Sequence, residues 1–315
     1  MQFQTKIPIK EQEPKIDYTS KLVLLGSCFS ENIGEKFTYF KFRQLQNPFG
    51  ILFHPFAIEN LVDKAVNQFV YTEKDLVFHN EQWHCFDAHS RLSSPDKIQL
   101  LETLNEALQQ TYTKLKEASH IIITYGTAWV YQLKDTQNFV ANCHKIPQRE
   151  FDKKLILAEK LQESIQNTIE LIQQVNPCAA FIFTVSPVRH IKDGFVENQQ
   201  SKSALITAVH QSIASVKKAS YFPSYEIMMD ELRDYRFYAQ DMLHPSDLAI
   251  DYIWQRFVET HLTQSTQQTM QEIDKIQKGM LHKAFNQESE AHQKFLNKLE
   301  VSKKTLIEKF PFINF

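Results

Sequence analysis

Two stretches of the sequence carry residues that could act on a carbonyl group. The first, LVLLGSCFSENIGEKF (residues 22–37), runs apolar to Gly26, presents Ser27 and Cys28, and continues in a helical pattern. A thiol in the first turn of a helix faces unpaired N–H groups and partial positive charge. Such a place draws a cysteine pKa below its usual ~8.5, and the same N–H groups can hold an oxyanion. The plainer alternative is that Ser27 or Ser30 caps the helix and Cys28 fills space in the core. The second stretch, AQDMLHPSDLAIDYIW (239–254), sets Asp241 three residues before His244, ahead of a helix opened by Pro245, Ser246 and Asp247. An imidazole there can serve a nucleophile with one ring nitrogen while the carboxylate fixes the other. Its alternative is a surface turn with a solvated Asp and a capping His.

Residues so far apart in sequence need a scaffold that brings strand ends together. KLVLL (21–25), HIIITY (120–125) and AAFIFTV (179–185) are apolar runs without alternation, the pattern of strands buried on both faces. YFPSYEIMM (221–229) reads as a weaker strand. Helical patterns cover 95–118, opened by Ser94, Pro95 and Asp96, and then 152–175, 198–217 and 247–262. Alternation of the two predicts an α/β fold with a mainly parallel sheet. Extended insertions are expected near 75–90, as a hairpin, and at 129–140. From residue 264 the chain turns to Gln, Lys and Glu, with apolar residues at helical steps, as in two amphipathic helices meeting near Gly279 or Asn286. The expected division is an α/β domain over 1–263 and a helical extension over 264–315. The extension packs on the domain or on a second copy, the latter giving a homo-oligomer.

Composition removes several classes of partner. The formal net charge is −2, with 43% hydrophobic and 23% charged residues, an ordinary globular balance. That balance offers no basic field for nucleic acid. Only six glycines occur where roughly 20 would be usual. Gly26, Gly50 and Gly126 each end an extended segment, where special backbone angles or close approaches are needed. The cysteines at 28, 85, 143 and 178 form no C-x-x-C pair, which argues against a disulfide framework. No apolar signal core opens the chain, and no run approaches the ~18 apolar residues of a membrane span. A cytoplasmic location is therefore expected. HNEQWHCFDAHS (79–90) gathers His79, His84, Cys85 and His89, but at a spacing unlike a zinc finger, so no metal is expected.

Taken together, the two chemical stretches resemble the layout of the SGNH (GDSL-type) esterase superfamily. GSCFS (26–30) is similar to the name-giving motif of the GSCFA domain family, an SGNH-like group, with Ser30 in place of its alanine. NPFGILFHP (47–55), ITYGTAWVY (123–131), NCHKIP (142–147), FTVSPVRH (183–190) and DMLHPS (241–246) look like further blocks of that family. The resemblance implies a three-layer α/β/α sandwich around a flavodoxin-like sheet. Laying G-S-C-F over G-D-S-L, it implies Cys28 as nucleophile, Ser27 as second candidate, His244 as general base and then acid, and Asp241 as orienter. The superfamily draws its oxyanion donors from separate loops. Gly50 resembles the second-block glycine. Gly126, Thr127 and Ala128 form the third block, where the usual G-x-N asparagine is missing. Thr127, through its N–H or hydroxyl, or Asn142 from another loop, would take that place. His144, His89, Arg189 and His54 are candidate substrate contacts, with His190 on the same edge as Arg189.

The reading that follows is an esterase or O-acyltransferase acting on an ester or thioester, with a small-molecule or carbohydrate-linked acyl group as substrate and no organic cofactor. The competing reading is a non-catalytic glycan- or partner-binding module, which the missing asparagine and the helical tail would suit.

Overall fold

A computed structural model describes residues 4–283 and 285–315. In chain order the first elements are β1 (Lys21–Gly26), α1 (Cys28–Tyr39), β2 (Arg43–Gln46), α2 (Pro55–Val66), β3 (Leu76–His79), β4 (Gln82–Cys85), α3 (Lys97–Glu117) and β5 (His120–Tyr125). There follow β6 (Trp129–Leu133), β7 (Phe139–Val140), β8 (Phe151–Leu155), α4 (Ala158–Val175), β9 (Ala180–Val185), α5 (Phe195–Ile213) and β10 (Ala219–Phe222). A single turn α6 (Ser224–Glu226), then α7 (Asp247–His261), α8 (Gln264–Leu281) and α9 (Glu290–Lys309), complete the chain.

The central sheet has the order β10-β9-β5-β1-β2, and every pair in it is parallel. Counted along the chain this is the 2-1-3-4-5 order of flavodoxin-like folds, in which ligands sit beyond the carboxyl ends of the strands. Period-two side-chain geometry divides each inner strand between two cores. Val23, Leu25, Ile121, Ile123, Phe181 and Phe183 face α2, α3, α4 and α5. Leu22, Leu24, Ile122 and Ile182 face α1 and α7. Each such side chain contributes about 1.5–3 kcal/mol on burial, so the apolar runs are strands because both faces are covered. The three-layer α/β/α arrangement is thus present.

The insertions also form. β3 and β4 make an antiparallel hairpin, and β7-β6-β8 a separate three-stranded sheet. Two boundaries differ from the sequence expectation. The helix expected from residue 152 begins at Ala158, because Phe151–Leu155 alternates side chains as β8 and pairs with β6. The weak strand expected over 221–229 stops at Phe222, and Ser224–Glu231 coils helically. In the extension, Met270, Ile273 and Ile276 of α8 with Leu299 and Leu306 of α9 join the core on the α1/α7 face. The tail therefore packs on its own domain, and α9 lies close against α8 at Gly279, where a Cβ would be 2.8 Å from Leu299. Among the described residues no helix is long and apolar enough to cross a membrane.

Candidate active site

The strand β1 ends in a joint only glycine can make. Gly26 has φ +141°, and a Cβ on it would lie 2.2 Å from the Thr124 carbonyl oxygen. Its N–H donates to Asn47 Oδ1 at 2.9 Å, while the Asn47 N–H donates to the Leu24 carbonyl at 2.9 Å. Asn47 thus ties the ends of β1 and β2 together. The chain then swings directly into α1, with Ser27 at the N-cap and Cys28 as the first helical residue. The Ser27 N–H is taken by the Thr124 carbonyl, and its Oγ is buried with no partner among the described residues. Cys28 stays partly exposed. The N–H groups of Phe29 and Cys28, helix-end donors with no intrahelical partner, favour the ionised form of the sulfur.

Burial nevertheless wins at the thiol. It pushes the Cys28 pKa up, against the Phe29 N–H and the positive charge of Lys202, which pull it down. The lowering expected from a helix N-terminus is therefore outweighed by loss of water around the sulfur.

Lys202, on α5, is the residue that sequence reading missed. It is 0% exposed, and its Nζ donates to the Gly126 carbonyl at 2.8 Å and the Ser186 carbonyl at 2.7 Å. Burial lowers its pKa to about 7, with Cys28 acting to raise it and Arg189 to lower it. The buried stripe of α5 runs Asn198, Ser201, Lys202, Leu205, Ala208, Val209. Its polar end lies at the carboxyl edge of the sheet and grips both loops there. Asn198 Oδ1 accepts from Arg189 at 3.0 Å, and Ser201 Oγ accepts from the Ala128 N–H at 2.7 Å. A helical stripe that changes from apolar to Asn, Ser and Lys at one end was the available signal.

Gly126 sits at the centre of this edge. A Cβ there would lie 2.7 Å from Phe53 Cβ and 3.4 Å from both His190 Nε2 and Ser27 Cβ. The His190 Nε2 has no partner among the described residues. Burial, then Lys202, then His244 lower its pKa to about 3. His244 enters from the far side. The Arg189 N–H donates to the Leu243 carbonyl at 3.2 Å, docking the Asp241–His244 turn beside His190. Asp241 Oδ1 accepts the N–H groups of Leu243 and His244 at 2.9 and 3.0 Å, and Oδ2 lies 2.6 Å from His244 Nδ1. These bonds hold the Asp241 pKa at about 2, the His244 backbone N–H first. Both side chains remain exposed, and His244 Nε2 makes no hydrogen bond among the described residues.

The other expected residues distribute unevenly. The Gly50 N–H donates to Asn47, and the Gly126 and Thr127 N–H groups donate to the Phe53 carbonyl. The Thr127 hydroxyl is shared with Ser201 and the Trp129 N–H. His89 lies against Gly50, where a Cβ would come within 2.5 Å of it. The loop of His89 reaches α1 through an Arg91–Glu31 ion pair at 2.9 Å. His54 caps α2, with Nδ1 accepting from Phe56 at 3.1 Å, and burial lowers its pKa to about 3. It lines a cavity of about 460 Å³ with Phe53, Trp129, Asn142 and Lys192. His144 is buried elsewhere, stacked 4.6 Å from His84 and bonded through Nε2 to the Cys85 carbonyl at 2.7 Å. The Arg189 side chain turns to Asn198 and Met229. The structure thus gathers Ser27, Cys28, Gly126, His190, Lys202 and the Asp241–His244 turn on one edge. His144 stands apart from it.

A model of the GSCFA family matches residues 21–257, and one of the GSCFA domain protein C-terminal domain matches residues 273–315. The chain belongs to the GSCFA family. No curated protein matches it. The first GSCFA match runs from the start of β1 into α7 and so contains every residue of the edge cluster. The second GSCFA match covers the end of α8 and the whole of α9.

Proposed function

We propose that this GSCFA protein is an SGNH-type esterase or O-acyltransferase with Cys28 as nucleophile. The observation that supports it best is the place of Cys28: partly exposed, first in α1, at the carboxyl end of β1, among the free N–H groups of a helix end. In the mechanism, Sγ attacks the carbonyl carbon of an ester or thioester and the thiol proton passes to His244 Nε2. The Cys28 and Phe29 N–H groups hold the oxyanion, in the role first expected of Gly50, Gly126 and Thr127, whose N–H groups are occupied. When the tetrahedral intermediate collapses, the C–O or C–S bond to the leaving group breaks and His244 returns the proton to it. Water or a sugar hydroxyl then attacks the acyl thioester, losing its proton to His244, and Cys28 is released. Asp241 keeps the His244 proton on Nδ1 throughout. A carbohydrate-linked acyl group suits the cavity beside Phe53, where Asn142 and Lys192 offer polar contacts next to Trp129.

The test is turnover of short acyl-nitrophenyl esters by the full chain, Cys28→Ala and Ser27→Ala side by side. Loss of at least about a thousandfold in Cys28→Ala alone is expected. Unchanged turnover in Cys28→Ala would overturn the assignment. Loss in Ser27→Ala alone would move the nucleophile to Ser27, whose Oγ has no partner among the described residues and whose Cβ borders Gly126 as His190 Nε2 does. A second reading, a binding module on the same scaffold, is favoured by the occupied N–H groups and the raised thiol pKa. It predicts no turnover by any of the three proteins.

A further inference from the structure

The cavity beside Phe53 has two positive charges in its wall and, among the described residues, no negative one. Its volume is about 460 Å³, and its charged lining residues are Lys145 and Lys192. Neither lysine makes an ion pair among the described residues, although carboxylates stand close in the chain. Glu150 pairs with Arg149, Asp152 with Lys134 and Asp193 with Lys153. Glu197 turns its carboxylate back on Gly194 at the start of α5. Like charges facing one cavity disfavour each other, and an anion in the cavity removes that cost. The loop that presents Lys145 is held in an uncommon shape. His144 and Lys145 are successive non-glycine residues in the left-handed region, at φ +49° and +61°. The buried His144 ties them to the hairpin through its 2.7 Å bond to the Cys85 carbonyl. Lys192 comes from the opposite side of the site, two residues after His190.

We propose that this cavity binds an acidic sugar, a hydroxyl-rich ring bearing a carboxylate or a phosphate, as the part of the substrate that does not react. The idea rests on the reading of the edge cluster as the acylation site and names the class of substrate that site serves. Lys145 and Lys192 take the acid group. Asn142 spends its Oδ1 on the His144 N–H at 2.8 Å, which leaves its NH₂ to donate to a ligand oxygen, and the Gln148 amide lines the same wall. A neutral sugar would satisfy the amides and leave both ammonium groups unpaired. A bare anion would pair the lysines and leave the amides and the Trp129 and Tyr131 rings without a partner. Only a ligand with both features uses the whole lining, in keeping with pockets that combine apolar walls with a few placed polar groups. Phe53 joins the cavity to the chemistry. It lines the cavity, stands 2.7 Å from where a Gly126 Cβ would be, and lies 6.1 Å from the His190 ring.

The experiment reads binding rather than turnover. Glucose, glucuronate, glucose 6-phosphate and inorganic phosphate are titrated into the full chain, and the indole N–H resonance of Trp129 is followed by NMR. At least one of the two acidic sugars should bind about tenfold or more tighter than glucose and than inorganic phosphate, and should move the Trp129 resonance. Which of the two does so tells whether the acid group is a carboxylate or a phosphate. Lys145→Met and Lys192→Met, both changes at exposed side chains, should each weaken that binding about fivefold, and the double variant should hold acidic and neutral sugars alike. Equal affinity for glucose and both acidic sugars would overturn the proposal, as would an acidic sugar bound no more weakly by the double variant, phosphate bound as tightly as the sugars, or no binding at all. The sugars used carry no acyl group, so the result is independent of Cys28. Failure of the esterase reading and failure of this one are therefore seen separately.

Discussion

The two halves of the site are built on opposite principles. The half around Lys202 and Gly126 is buried, with His190 half-buried beside it, and Ser27 Oγ and His190 Nε2 there have no partner among the described residues. The Asp241–His244 half is exposed, and every bond of its carboxylate is made within one turn. In the first, loss of water sets the titration: burial is the leading cause at Cys28, His190 and Lys202. In the second, short local hydrogen bonds set it, and burial is minor. A nucleophile gains from a dry surrounding in which each charge acts strongly. A base that must return protons to a leaving group gains from reaching solvent.

The largest effect expected is at the joint that carries the buried half. Gly26→Ala places a Cβ against the Thr124 carbonyl in a backbone conformation L side chains avoid. It should cost at least about 3 kcal/mol of stability, read from urea unfolding. Stability within 1 kcal/mol of the original would mean the joint has slack that the geometry denies. In the exposed half the order reverses. His244→Ala should lower kcat by about 10²–10⁴-fold while leaving the thermal midpoint in place, because the side chain is exposed and its one hydrogen bond among the described residues is to Asp241. A matching loss of stability would show that the turn is part of the scaffold.

Acid acts on histidines across the whole fold, His190 of the site among them. His54, His144, His190 and His261 all have pKa values lowered by burial, His54 to about 3. A base with a lowered folded pKa binds fewer protons folded than unfolded, so stability rises with pH between the two values. Stability should therefore fall as pH drops from about 6.5 toward 4. His54→Gln should remove up to about 1.4 kcal/mol per pH unit of that slope. Equal slopes in denaturant titrations at pH 6.5 and 4.5 would show His54 to be accessible to protons in the folded state.

The exposed half was also the more legible one. Asp241 and His244 are three residues apart, and a turn suffices to join them, so sequence spacing carried the geometry. The inner strands were legible because each is apolar on both faces. Strand β2, Arg-Gln-Leu-Gln, was not, since an edge strand needs no apolar run. The buried half depends on contacts across the sheet. Lys202 lies among Gln199, Gln200, Ser201 and Ser203, and only the change of the α5 stripe from apolar residues to Asn, Ser and Lys sets it apart from a solvated lysine. The raised thiol pKa was hidden for the same reason: the helix end is visible in sequence, but the packing that dries it is not.

The smallest effect expected tests whether an exposed orienter matters. In Asp241→Asn the amide can still accept the Leu243 and His244 N–H groups, so the turn should hold. Its NH₂, however, would face Nδ1 and favour the tautomer with the proton on Nε2, the nitrogen that must receive the thiol proton. Water competes for this exposed pair, so the loss in kcat should be about 10–100-fold, less than in His244→Ala. A carboxyl with a lowered folded pKa stabilises the fold above its unfolded pKa of about 4, and that stabilisation is lost as pH falls toward 2. Asp241→Asn should accordingly flatten the thermal midpoint between pH 4 and 2 and leave it unchanged at pH 7 beyond the loss of this one carboxylate. Were kcat to fall as far as in His244→Ala, the pair would be shielded from water when substrate is bound, and the contrast between a dry and a wet half would hold only for the free protein.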